Sequence, residues 1–134
     1  MTLLQPAKTN AVARHNEPEK FQVYASSELM AAPPWQEGIC FLPECSKAFT
    51  PARAWQMYCC TACERKGTFE MRKWGHRMAL PLLVWRMGKY EKKHTGIRDL
   101  TRAARRHVTH VQSAWLEDRN RRAVRAEDNG SGAS

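Results

Sequence analysis

All five cysteines of this 134-residue chain lie in one stretch that begins at Cys40 and ends at Cys63. Cys40 and Cys45 form an outer pair, and thirteen residues separate them from a cluster at Cys59, Cys60 and Cys63. Two short-spaced pairs joined by a loop suit a tetrahedral thiolate site, in which Zn–S bonds of about 2.3 Å place the sulfurs about 3.7 Å apart. Four thiolates leave no open coordination position. The spacing therefore predicts a structural zinc (Zn2+) site, not a catalytic one.

Two other interpretations of the cysteines compete with zinc. A disulfide framework suits small secreted proteins, but five is an odd number, and the beginning MTLLQPAKTN lacks the basic start and long apolar run of an export signal. We therefore expect an intracellular, reducing, cytoplasmic location. An iron–sulfur cluster needs the same four thiolates, so iron stays open as the metal. The compact loop and the small remaining core favour zinc.

The residues around the cysteines carry a family resemblance. Residues 45–51 read CSKAFTP, and residues 57–63 read MYCCTAC. Together they resemble the treble-clef zinc fingers of the MYM and FCS type, found in bacterial, phage and eukaryotic proteins. That pattern runs Cys-x(2–4)-Cys-Gly-Lys-x-Phe, then a hairpin rich in Pro and Arg, then Tyr/Phe-Cys-Ser-x-x-Cys. The resemblance covers residues 38–75. It implies a zinc knuckle at the first cysteine pair, Phe49 packed under the site, and the last cysteine in the first turn of a helix.

The chain departs from this pattern at two positions. Ser46 stands where glycine is usual, so a non-glycine residue has to make the knuckle turn. Cys60 stands where serine is usual, and by spacing alone it could replace Cys59 as a ligand beside Cys63. We favour Cys59. The ligand set that the resemblance implies is Cys40, Cys45, Cys59 and Cys63.

The expected fold is a small zinc-stabilised α+β protein. A treble-clef finger at residues 38–75 includes a short hairpin, whose turn and second strand we place at residues 51–58. A basic helical hairpin follows at residues 76–126. A largely disordered or extended arm, residues 1–37, precedes the finger, with one short strand possible at residues 21–24, and a flexible tail occupies residues 127–134. This division follows the proline-rich start and the Gly/Ser-rich end of the chain.

Apolar periodicity predicts how the helical half folds. A first helix is expected from Cys63 to about Trp74, a break at Gly75, a second helix that ends by Lys93, and a last helix that frays beyond Trp115. The apolar stripe of the last helix comprises Ile97, Leu100, Ala104, Val108, Val111 and Trp115. Its expected complement comprises Leu80, Leu83, Val84 and Met87, joined by Phe69 and Trp74. These two sets predict an antiparallel pair that turns at Thr95–Gly96.

Positive charge is concentrated in the helical half. The formal net charge is +9, and residues 61–126 alone carry seventeen Lys/Arg against six Asp/Glu, a balance of +11. Arginine outnumbers lysine, which favours bidentate contacts with phosphate. Charge supports nucleic-acid binding without separating DNA from RNA. The residues predicted to contact phosphates are Arg53, Arg65, Lys66, Arg72, Lys73, Arg98, Arg102, Arg105 and Arg106.

These patterns lead to two hypotheses of function. The first is a nucleic-acid-binding accessory or regulatory protein; the second is a protein-interaction adaptor, a phage or bacterial regulatory factor that docks an acidic partner through the finger and the apolar helix face. We expect no enzyme activity and no small-molecule substrate, because the sequence has no nucleophile–base pair, paired carboxylates or glycine-rich phosphate loop. HNH nucleases share the treble clef but need a histidine in the hairpin, and residues 46–58 contain none. No membrane association is expected, since the longest apolar run, residues 79–85, is far shorter than the ~20 residues of a span.

Overall fold

The computed structural model describes residues 20–132, with side chains as far as residue 128. The chain divides into two compact units, Met1–Pro34 and Trp35–Ser134. In the first unit, α1 spans Phe21–Tyr24 and α2 spans Ser26–Ala31. The strand expected at residues 21–24 is therefore wrong: this stretch has no glycine or proline, and it forms a helical turn. Residues 1–19 of the expected arm and 133–134 of the expected tail lie outside the described residues.

Two long antiparallel helices dominate the second unit. Helix α3 spans Thr61–Gly88 and helix α4 spans Thr95–Gly132. The expected fraying beyond Trp115 and the flexible tail from residue 127 are therefore wrong as far as residue 132, and the chain turns at residues 89–94, just before the expected Thr95–Gly96. The expected break at Gly75 is wrong, because α3 continues through both Gly75 and Pro81. A helix-interior glycine costs about 1 kcal/mol and a proline about 3 kcal/mol relative to alanine. Residues on both sides of these positions pack against α4, and that tertiary packing outweighs the local cost. No helix in residues 20–132 is long and apolar enough to span a membrane.

The core lies between α3 and α4. Trp74 and Met78 of α3 pack with Val108 and Val111 of α4, and all four side chains are less than 10% exposed. The indole rings of Trp74 and Trp115 stack in parallel, with their centroids 6.0 Å apart and 4° between the planes. The antiparallel pairing and the centre of the α4 stripe are therefore as the periodicity predicted.

The predicted complement on α3 is largely wrong. Leu80, Leu83 and Met87 are all more than half exposed, as are Phe69 of α3 and Leu100 of α4. The face that α3 turns inward instead carries a row in which several members are small or charged; its buried residues follow at steps of three and four as far as Met78, and Gly88 lies ten residues further on, beyond the half-buried Pro81 and Trp85. This inward row comprises Gly67, Glu70, Trp74, Met78 and Gly88. Hydrophobic periodicity selected the wrong face because the apolar residues of α3 lie mainly outside this row.

Two glycines in the inward row permit close approach. A side chain at Gly88 would overlap the hydroxyl of Thr101 in α4, and one at Gly67 would overlap the phenol ring of Tyr58 in the finger. By contrast, nothing lies within 4 Å of where a side chain at Gly75 would begin. Gly67 and Gly88 thus let neighbouring segments lie directly against α3, whereas Gly75 has no such role.

The expected hairpin of the finger is not formed. Among residues 20–132 the only β pairing is an isolated antiparallel bridge between Ile39 and Ala48. Residues 51–58 form a loop, in which the Gln56 side chain accepts from the Ala52 amide and donates to the Tyr58 carbonyl. Trp55 has a φ of 63°, a left-handed conformation that no strand contains. Side-chain bonds from Gln56 therefore replace the ladder of a second strand.

Candidate metal centre and basic surfaces

Four cysteines converge at the base of α3. The Sγ atoms of Cys40, Cys45, Cys59 and Cys63 all lie within 4.8 Å of one another. The Cys45–Cys59 and Cys59–Cys63 sulfur distances are both 3.7 Å. A tetrahedral zinc with bonds of about 2.3 Å requires sulfur separations of about 3.7 Å, so these four side chains fit a metal ion. Cys60, the alternative suggested by spacing, is exposed and does not belong to this group.

A tight turn positions the first cysteine pair. The amides of Cys45 and Ser46 both donate to the carbonyl of Leu42, each at 3.0 Å, and the Leu42 side chain is 1% exposed. Ser46 adopts a φ of 47°, so it does make the turn at the position where the treble-clef pattern that the sequence resembles has glycine. Its hydroxyl donates to the Pro43 carbonyl at 3.0 Å, which offsets part of the cost of the left-handed backbone.

The start of α3 positions the second pair. Cys60 is the N-cap residue, with an extended backbone (φ −156°, ψ 170°), and its carbonyl accepts from the Glu64 amide at 3.0 Å. Cys59 precedes the cap, and Cys63 lies in the first turn of the helix, as the resemblance implied. Because the extended cap residue separates the two half-buried cysteines, Cys59 and Cys63 reach the same site while the intervening thiol stays exposed.

Burial and close contacts perturb the protonation of Cys45, Cys59 and Cys63. Burial raises the pKa of Cys59 to about 11 and raises the pKa of Cys63 as well. Burial also acts to raise the pKa of Cys45, but hydrogen bonds from the Lys47 backbone and from the neighbouring thiols outweigh it, so the pKa of Cys45 is lowered. A metal ion has to displace these protons to bind thiolates, so affinity for a divalent metal must fall as the pH falls.

A buried carboxylate joins α3 to α4 near the metal centre. Glu70 is 5% exposed, and it accepts from the indole nitrogen of Trp115 at 2.8 Å, from Arg122 Nη2 at 2.5 Å, and from Arg119 Nη1. Burial acts to raise the pKa of Glu70, but the hydrogen bonds from Arg122, Trp115 and Arg119 outweigh it and lower that pKa below its usual range. We call these four residues the Glu70 cluster.

The two arginines of the Glu70 cluster also contact Phe41 and Glu44, which lie between the first two cysteines. Arg119 Nη2 donates to the Phe41 carbonyl at 2.6 Å, and its guanidinium lies 4.1 Å from the centroid of the Phe41 ring. Arg122 Nη1 lies 3.1 Å from a carboxylate oxygen of Glu44. Phe41 directly follows the ligand candidate Cys40, so the contact with Arg119 attaches α4 to the segment beside the cysteine site. This part of the last helix was expected to fray beyond Trp115, and no apolar periodicity signals that its arginines have a buried partner in Glu70.

Three of the predicted phosphate contacts form one surface on the exposed side of α4. Arg102, Arg105 and Arg106 line a shallow groove together with Thr109, His110 and Ser113. The nearest acidic partner is Asp99, whose carboxylate lies 3.7 Å from Arg102 in an exposed ion pair. We call this groove the α4 arginine surface. Arg98 is also exposed on α4, but it does not line the groove.

The other predicted basic residues lie elsewhere. Arg65, Lys66 and Lys73 line a second groove beside the exposed ring of Phe69, together with the carboxylates of Glu44, Glu70 and Asp118. Arg72 is exposed on α3 outside that groove, and Arg53 is exposed in the finger loop. Trp55, beside Arg53, packs edge-on against Trp35 with the ring centroids 6.2 Å apart. The nine predicted phosphate contacts thus do not form one continuous site.

Comparison with protein-family models, with characterised proteins and with solved structures finds no match for this chain.

Proposed function

We propose that this chain is a zinc-stabilised nucleic-acid-binding module, an accessory or regulatory factor that contacts phosphates through the α4 arginine surface. The observation that carries the proposal is that Arg102, Arg105 and Arg106 line one exposed groove, that the described residues lining it include no carboxylate, and that Arg102 makes an exposed ion pair with Asp99. Guanidinium groups bind phosphate oxygens in bidentate fashion, and the Ser113 hydroxyl adds a hydrogen-bond donor of the kind found at phosphate contacts, whereas the Thr109 hydroxyl already donates to the Arg105 carbonyl at 3.0 Å.

The contrast within α4 supports this choice of surface. Arg119 and Arg122 are each less than a quarter exposed, and both are neutralised by Glu70. The fold uses those two cations, so they are not available to a ligand. Within the described residues no buried carboxylate pairs with the α4 arginine surface: Arg102 makes an exposed ion pair with Asp99, and Arg105 lies 5.8 Å from the centroid of the Trp85 ring, a contact that leaves its charge uncompensated. The surface therefore represents excess positive potential of the kind that drives sequence-independent binding to phosphates.

Zinc is the metal we assign to the four-cysteine centre. Sulfur separations of at most 4.8 Å suit a single tetrahedral ion, whereas a cluster of several irons holds its thiolates further apart. Four thiolates would fill the coordination of zinc, so its role would be structural: it would fix the knuckle and the first turn of α3. In zinc-finger peptides such binding supplies about 10–16 kcal/mol of folding free energy. The knuckle followed by a helix that carries the last ligand supports the treble-clef interpretation.

A charge-reversal experiment tests the nucleic-acid proposal. The variant Arg102→Glu/Arg105→Glu/Arg106→Glu is titrated against labelled duplex DNA, single-stranded DNA and RNA of one sequence at several salt concentrations. We expect binding to be lost, or the slope of log affinity against log salt to fall by about one for each phosphate contact removed. Helix content by circular dichroism should stay at the native level, because these side chains lie opposite the buried stripe.

A matched control separates this surface from net charge. Reversal of Lys89, Lys92 and Lys93 to glutamate changes the charge equally, and these exposed residues follow α3 and precede α4. We expect this control to keep most of the native affinity. Unchanged binding in the arginine variant would refute the proposal, and equal losses in both variants would show that overall charge, not the α4 arginine surface, governs binding. Comparison of the three nucleic acids gives the preference between DNA and RNA.

A further inference from the structure

The outer face of α3 carries an apolar row that the fold leaves uncovered. Leu80, Leu83 and Met87 are 68%, 56% and 53% exposed, and Tyr90, two residues after the helix, is 72% exposed. Steps of three and four residues place the three helical members on one face. Single exposed apolar side chains are ordinary on protein surfaces, but contiguous exposed apolar surface marks a site of interaction. We call Leu80, Leu83 and Met87 the outer row.

The outer row does not belong to the core that pairs the helices. At 100° per residue, its members are rotated by about 140–200° from Met78, whose side chain is buried against α4. Met78 and Gly88 mark the inward row at the same level of the helix, and both are buried. Helix α4 therefore covers the opposite side of α3, and the outer row makes no contribution to the pairing of the two helices.

The charges on α3 indicate what kind of partner fits. The helix contains six Lys/Arg, and its acidic residues are Glu64 and Glu70, of which Glu70 is buried in the Glu70 cluster. Three of the cations share a groove with Glu44, Glu70 and Asp118, whereas Arg72, Arg77 and Arg86 are exposed on α3 outside that groove, so the solvent-facing side of α3 combines apolar residues with an excess of cations. A second copy of the same face would bring like charges together, which costs free energy, whereas an acidic partner would be complementary. The cations are Arg65, Lys66, Arg72, Lys73, Arg77 and Arg86.

We infer that the outer face of α3 docks an acidic amphipathic helix of another protein. The apolar side chains of that helix, repeated at three- and four-residue steps, would pack on the outer row, while its carboxylates would meet Arg86 on one flank of the row. This surface belongs to α3, whereas the proposed nucleic-acid contacts belong to α4. The inference therefore does not depend on nucleic-acid binding. If both proposals hold, the chain joins a protein partner on α3 to a nucleic acid on α4.

The test uses a designed probe with the full zinc-bound chain. A labelled synthetic peptide of roughly 18 residues, about five helical turns, carries leucines at three- and four-residue steps with glutamates and alanines elsewhere. A second peptide has the same composition with the leucines scattered. We expect the patterned peptide to bind, as followed by fluorescence anisotropy, and the scattered peptide to bind at least tenfold more weakly. Both peptides carry the same charge, so their difference isolates the apolar row.

Variants place the binding on α3. Leu80→Ser/Leu83→Ser should weaken binding of the patterned peptide at least tenfold, because two apolar anchors lose their partners. The control Leu116→Ser changes a leucine of α4 that is 61% exposed, and it should stay within about twofold of native. Circular dichroism checks that each variant is folded. The single variant Met87→Ser, measured in the same assay, should also weaken binding of the patterned peptide because Met87 belongs to the outer row. An equal loss in Leu116→Ser would overturn the assignment to α3.

Three further results would overturn the inference. Equal affinity for both peptides would show attraction by charge alone. If native protein self-associates in sedimentation velocity and Leu80→Ser/Leu83→Ser is monomeric, the outer row is an interface between two copies. Tighter binding to vesicles of anionic lipid than to the peptide, lost in the same double variant, would identify a membrane surface as the occupant. None of these results bears on the charge-reversal test of the α4 arginine surface.

Discussion

Replacement of Glu70 by glutamine tests the cluster that joins the helices to the finger. The substitution keeps the size of the side chain and an acceptor for Trp115, but it removes the anion shared by Arg119 and Arg122. Loss of one partner from a buried ion pair costs about 3–5 kcal/mol, because charge is left uncompensated. Arg119 keeps the Phe41 carbonyl, and Arg122 keeps its ion pairs with Glu44 and Asp118, so we expect the lower end, about 3 kcal/mol.

Urea unfolding of protein purified without chelator, followed by circular dichroism, measures this loss. Domains of this kind are stable by about 5–15 kcal/mol in total, so a loss of about 3 kcal/mol shifts the midpoint clearly. Glu117→Gln is the matched control: Glu117 is exposed on α4, and its replacement should change the free energy of unfolding by less than about 0.5 kcal/mol.

Acidification gives a second readout of the same carboxylate. Because the folded-state pKa of Glu70 is lowered, its contribution is fully present above its unfolded-state pKa of about 4.3 and is lost as the pH falls through the lower, folded-state pKa. The stability difference between native protein and Glu70→Gln should therefore shrink from pH 7 toward pH 3. Metal loss in acid affects both proteins and largely cancels in the difference. A cost below about 1 kcal/mol at pH 7, or a difference that does not shrink, would refute this account.

Two further predictions concern the metal and the glycines. Metal analysis should find one zinc per chain in native protein and in Cys60→Ser, and strongly reduced zinc in Cys59→Ser; retention of zinc in Cys59→Ser with its loss in Cys60→Ser would reverse the ligand assignment. Gly67→Ala should lower the free energy of unfolding by about 1–3 kcal/mol because the new methyl group overlaps Tyr58, whereas Gly75→Ala, in open space, should raise it by about 0.5–1 kcal/mol. Stabilisation by both alanines would show that Tyr58 moves aside at little cost.

The cysteine site was the most predictable part of the molecule, because its information is local. The spacing of the pairs predicted which sulfurs meet, and the resemblance favoured Cys59, which the structure brings into the cluster while Cys60 remains exposed. The turn at Ser46 was also foreseen. The loop at residues 51–58 was not, because it depends on side-chain bonds from Gln56 that no periodicity encodes.

In the helical half, the residues that face the core could be predicted where the packing is apolar, as in α4, but not where it involves glycine or charge, as in α3. In α4, Ala104, Val108 and Val111 form a conventional stripe, and all three are buried. In α3, the inward row contains Gly67 and Glu70, residues that a hydrophobic pattern scores as solvent-facing. Their roles come from neighbours far along the chain: Tyr58 lies against the glycine, and two arginines of α4 neutralise the glutamate. Periodicity within one helix contains no information about such partners.

The position of the Glu70 cluster sets an order in which the chain can fold. The cysteine centre joins residues at most 23 positions apart, whereas Arg119 and Phe41 are separated by 78. The entropic cost of closing a loop grows with its length, so the metal-binding loop can close while the later part of α4 is still unstructured. The two arginines, arriving last, would then convert a locally ordered finger and a pair of helices into one cooperative unit. During synthesis that final step must wait until Arg122 has left the ribosome.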